Sequence, residues 1–184
     1  MRFNNVKMLK LLFNRGAIWE VDLESNKSRL SSATSEKGDS PVTSYFRKMA
    51  NFYDLTIEQE DKNNTEKELR DLEHLLKENP EFSNIRFMID GYTITAMYNA
   101  IFKKDLPVFK LLLQGGFSIS LDMRHDMTAL DCIIAFAQGC DSNNIDVGDG
   151  KEKQAFDSSL KTYIEMVKLI VLNSTEINAP KLTE

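Results

Sequence analysis

Two histidines and two cysteines are the residues of this chain best suited to chemistry. Acid–base or nucleophilic catalysis needs such groups within hydrogen-bond reach of one another. The sequence keeps them apart. His74 lies on the polar side of an acidic helical run, and His125 falls in a connection between elements. Cys132 sits among small apolar residues, and Cys140 lies at a loop edge. Neither cysteine has zinc-site spacing, and two are too few for a disulfide scaffold. Gly148-Asp149-Gly150-Lys151 has glycines and a lysine, as a phosphate loop does. It lacks the Gly-x-x-x-x-Gly-Lys-Ser/Thr spacing and a preceding strand. No calcium-loop spacing occurs either. The residues therefore predict no catalytic site, no metal and no cofactor: the chain is expected not to be an enzyme and to work by binding.

Charge narrows the partner. The net charge of −5 argues against a nucleic-acid or membrane-surface binder. From Asp54 to Glu81 there are ten acids against four bases, so the rest of the chain is close to neutral. A partner touching that segment would be basic, although a solvated helix face has the same composition. No stretch approaches the roughly eighteen apolar residues of a membrane span. The apolar pattern of the first thirteen residues is interrupted by Lys7 and Lys10. It reads as an amphipathic helix and not as a secretory signal. With too few cysteines for a disulfide scaffold, this predicts a reducing compartment and a cytoplasmic protein.

The elements that position these residues are mainly helical. Val6, Leu9, Leu12 and Phe13 predict a helix over about 4–14, ended at Gly16. Residues 24–40 are rich in serine and lysine and read as a loop. Ser40-Pro41 starts a helix to about residue 55, with a polar connection over 54–64. Thr65-x-x-Glu68 is a capping box opening a helix that Asn79-Pro80 stops. Ile85 to Ile94, with Asp90-Gly91, reads as an extended hairpin. Thr95 and Asp105 cap two further helices, the second ended at Gly115-Gly116. A helix from Thr128 to about Gln138 follows, then a polar insertion over 139–157, then a helix from about Leu160.

Thr95-Ala96-Met97-Tyr98-Asn99-Ala100 and Thr128-Ala129-Leu130-Asp131-Cys132-Ile133 are two versions of one pattern, separated by a single repeat length. Both resemble the Thr-Pro-Leu-His-x-Ala start of an ankyrin repeat, and their separation matches that family's period. Val108 to Phe117 resembles the second helix of that repeat with its glycine stop, as do Val6 to Ala17 and Met166 to Val171. Thr175-Glu176-Ile177-Asn178 is similar to the family's Ala-Asp-Val-Asn ending. A long polar stretch is inserted between the helices of the last unit. The likeness is strong over 91–138, fair over 6–20 and 160–178, and poor over 21–90. The motif's proline is replaced by Ala96 and Ala129, its histidine by Tyr98 and Asp131, and the interhelical glycine by Lys104. The family's histidine links neighbouring loops by hydrogen bonds, so that network must be rebuilt here.

The resemblance implies an all-α fold: one domain over 1–184, a short solenoid of three to four degenerate helix-turn-helix repeats with projecting fingers. Its units are a partial repeat at 1–20, an irregular one at 41–90, a repeat at 91–120, and one with an insertion at 121–178. Residues 24–40 and 139–157 would be the two long insertions. It further implies a scaffold or adaptor that binds a partner protein through finger tips and the concave helix face, as a monomer. The positions carried over are Tyr92, Ile94, Arg124, His125 and Met127 on the fingers, with Phe102, Lys103 and Phe136 on the first helices. Both ends of the sequence fall within a repeat, which also fits a substrate-recruiting or regulatory part of a larger protein. An effector placed in a host cytosol by an intracellular bacterium would be one such protein, with its chemistry elsewhere.

Overall fold

A side-chain cap opens most helices of the computed structural model, which describes residues 6–15, 17–20, 40–58, 64–89, 91–119, 127–142 and 150–178. The described chain is mostly helical, with seven helices. In order they are α1 (Val6–Asn14), α2 (Pro41–Tyr53), α3 (Glu66–Glu78), α4 (Ala96–Lys103), α5 (Leu106–Gln114), α6 (Ala129–Ser142) and α7 (Gly150–Asn178). A π-helical turn, Asp54–Glu58, continues α2, and a 3-10 turn, Pro80–Asn84, follows α3. Three short strands are β1 (Ile18–Glu20), β2 (Arg86–Ile89) and β3 (Tyr92–Thr95).

The capping residues act as their types predict. The Ser40 hydroxyl accepts from Thr43 N–H at 3.1 Å with Pro41 in the first turn. Thr65 and Glu68 satisfy each other's backbone N–H groups in a capping box. Asp105 accepts from Val108 N–H at 3.0 Å. Asp131, where the repeat motif has histidine, closes a further box: Thr128 N–H donates to its carboxylate at 2.9 Å and Asp131 N–H to the Thr128 hydroxyl. The Thr128 hydroxyl, then the Thr128 N–H, hold this carboxyl below its ordinary value.

The helices form two rows. α4 packs on the π-turn before it and on α6 after it; α5 packs on α3 and α7 in the same way. Pairing α2 with α3, α4 with α5 and α6 with α7 completes three helix pairs, with α1 against α2 and the 3-10 turn. The core runs unbroken through them, from Phe13 to Ile170.

The expectation of an all-α fold needs amending, because a three-stranded sheet lies beside the helices in the order β1-β2-β3. β2 and β3 make the predicted hairpin; Ile89 pairs with Tyr92 across a two-residue turn. Gly91 takes φ +80° there, a left-handed backbone that favours glycine. β1 pairs with β2 in parallel.

Other boundaries also shift. Residues 54–58 are not a polar connection: Leu55 and Thr56 are buried in the π-turn. The insertion at 139–157 is largely helical, since α6 runs to Ser142 and α7 begins at Gly150. Thr175 to Asn178 lies within α7 and does not form an extended ending. Residues 24–39 and Gly16 lie outside the described residues.

Lys104 carries backbone strain between α4 and α5. It is left-handed at φ 59°, where a side chain costs about 1 kcal/mol. Lys104→Gly is therefore expected to stabilise the protein by about 1 kcal/mol, raising Tm by roughly 2–4 °C. A thermal melt checks this; an unchanged or lower Tm would show that the lysine's exposed 2.8 Å bond to Ser159 outweighs the strain.

Candidate functional site

The first-row helices present an aromatic surface. Tyr98 and Phe102 are four residues apart, so both lie on one face of α4. Their rings are parallel within 5°, with centroids 6.5 Å apart. Phe136 of α6 reaches across to both, at 5.8 Å from Tyr98 and 5.6 Å from Phe102. Phe102 is 58% exposed, whereas Tyr98 and Phe136 are half-buried against the core. An aromatic ring this open, braced by two others, is a large contact area whose conformation is fixed in advance.

The neighbouring face of α4 does structural work. Asn99 donates to the Thr56 carbonyl at 2.6 Å, and Lys103 Nζ lies 3.4 Å from the Ile57 carbonyl. These are orphan carbonyls at the end of the π-turn, where a donor or cation is favourable. Lys103 therefore ties α4 to the unit before it. Phe136 is its counterpart one repeat period on. It too reaches back to the preceding unit, but through aromatic packing.

The sequence-predicted positions separate accordingly. Tyr92 stands at the hairpin turn, 52% exposed. Ile94 is half-buried and pairs with Phe87 across the hairpin. Met127 is half-buried against the core. Arg124 and His125 lie outside the described residues. Phe102 and Phe136 are brought together. The motif marks Tyr98 only as a lost histidine, although its i, i+4 relation to Phe102 is readable. Asn99 cannot be found from sequence, because the carbonyl it caps belongs to a distant turn.

Asn84 bridges two neighbouring turns. Its Nδ2 donates to the Gly116 carbonyl at 3.0 Å, and its Oδ1 accepts from Ser118 N–H at 2.7 Å. Gly116, at φ +92°, ends α5 so that Phe117 N–H donates to the Leu112 carbonyl at 3.0 Å. Ala17 N–H makes the same bond to Leu12 after α1.

Among the described residues no three His, Cys, Asp or Glu side chains gather as metal ligands, and Cys132 is buried. A shallow groove of about 280 Å³ between α3 and α5 is lined by the ion pair Lys77–Glu73 with Leu76, Pro80 and Leu111. No described helix is long and apolar enough to cross a membrane.

The class these features define is a mostly helical fold with a small sheet. No family model matches the chain, and neither the curated proteins nor the solved structures contain a significant match.

Proposed function

We propose that the chain is a divergent ankyrin-type array and serves as a protein-interaction scaffold, without catalysis of its own. Three features support the repeat reading: the two-row stacking of helix pairs, the hairpin entering α4, and the recurring turn after α1 and α5. The observation that carries the binding reading is the Tyr98–Phe102–Phe136 surface, with Phe102 open to solvent. Exposed aromatics on a rigid support are the usual anchors of an interface. The partner is a protein that inserts an apolar or cationic side chain against the Phe102 ring, since both are attracted to an aromatic face.

The test is affinity capture with the wild type and with a Tyr92→Ala, Phe102→Ala double variant. Both sites are exposed, so the variant's stability should stay within about 0.5 kcal/mol of wild type. A partner bound through this surface should lose at least about tenfold in affinity, about 1.4 kcal/mol. Equal binding by the folded variant would remove the surface from the interface.

A further inference from the structure

The outer face of the last helix pair repeats, position for position, a face that is buried one unit earlier. Met97 and Ile101 of α4 are fully buried, and α6 packs against that helix. Their counterparts one repeat period on are Leu130 and Ile134 of α6, which are 40% and 46% exposed. The second row behaves alike. Leu106 and Leu113 of α5 are half-buried and buried; in the helix alignment they correspond to Ile164 and Val171 of α7, which are 46% and 55% exposed. These four apolar side chains belong to both helices of one pair. They continue the internal stacking interface outward, and nothing among the described residues buries them. Scattered apolar exposure is ordinary on a protein surface, but these four fall in the stacking register on both helices of one pair, beside Leu172, which is 60% exposed on α7.

We infer that this α6–α7 face associates with the same face of a second copy, forming a two-fold dimer. The pattern on α7 is self-complementary. A two-fold axis near Val167 and Lys168 sets antiparallel α7 helices so that Ile164 of one copy meets Val171 of the other. The exposed Glu165 and Lys168, paired at 2.7 Å within one chain, then lie within reach of Lys168 and Glu165 of the second copy. A two-fold contact closes on itself, whereas stacking this face on the α1 end would propagate into fibres. The inference departs from the monomer that the resemblance implies. It needs only the repeat register and does not depend on the aromatic surface binding a partner.

Sedimentation equilibrium of the full chain, from micromolar to near-millimolar concentration, tests it. A monomer–dimer equilibrium is expected. Ile134→Glu and Ile164→Glu, at exposed sites, should each weaken it at least tenfold while leaving the thermal melt unchanged. Glu165→Lys alone should weaken the dimer, and adding Lys168→Glu should restore it, because the swap regenerates the pair across the axis. A strict monomer throughout overturns the proposal. So does an assembly that grows beyond a dimer and is abolished by Leu11→Glu, since α1 would then be the contact.

Discussion

Phe82→Ala is expected to destabilise the protein by about 3–5 kcal/mol, the largest loss from any single truncation considered. Phe82 is fully buried and joins a chain of rings. Tyr45 lies 5.3 Å from it and Phe52 5.6 Å, Phe87 follows at 6.2 Å from Phe52, and Tyr53 stands 5.2 Å from Phe87. The chain fastens α2 to the 3-10 turn and β2. Deleting the ring forfeits its transfer free energy and leaves a void, because aromatic neighbours fixed in a sheet and a helix collapse poorly. A urea or thermal melt reads the loss, with Phe102→Ala as the exposed comparison. A loss below about 1 kcal/mol would mean that these rings do not form a packed core.

The second large effect is expected at Lys10. Its Nζ lies 2.9 Å from Glu81 Oε1 and 3.2 Å from Asn79 Oδ1, over the Tyr45 ring at 5.6 Å. The Glu81 side chain is only 4% exposed, and Tyr45 donates its hydroxyl to the same oxygen at 3.0 Å. Burial, then the Glu81 carboxylate, push the Tyr45 phenol far above its ordinary value, so it remains a donor. Lys10→Met removes the cation and strands a buried carboxylate. Breaking such a pair costs about 3–5 kcal/mol when both partners are buried; Lys10 is 33% exposed, which places the expected loss near about 3 kcal/mol. Adding Glu81→Gln should recover a good part of it, because the unpaired charge goes with the carboxylate. If the double variant is no better than Lys10→Met, the loss comes from the lysine's packing and not from charge.

Both residues belong to segments where the sequence pattern is least informative or points to something else. Over 41–90 the likeness is poor, yet among the described residues that stretch holds a chain of five aromatic contacts. In the sequence Lys7 and Lys10 are interruptions of an apolar pattern. Lys10 proves to be an internal counter-ion, because Glu81 arrives beneath it from a remote part of the chain. Lys103, a contact position by resemblance, is a helix-end donor.

Local chemistry is legible in the sequence. The caps at Ser40, Thr65, Thr95 and Asp105, the stop at Asn79-Pro80 and the turn at Gly91 depend on a few adjacent backbone groups, so residue type at fixed spacing decides them. Thr95, Asp105 and Thr128 likewise mark where α4, α5 and α6 begin. Tertiary structure alone decides the rest. The parallel pairing of β1 with β2, the burial of the π-turn, the helical course of much of the last insertion and the Tyr98–Phe102–Phe136 cluster all join segments far apart in the chain or rest on packing against them. Their energies come from surfaces that meet only after the pairs have stacked, and no local pattern of residues encodes which surface will be there.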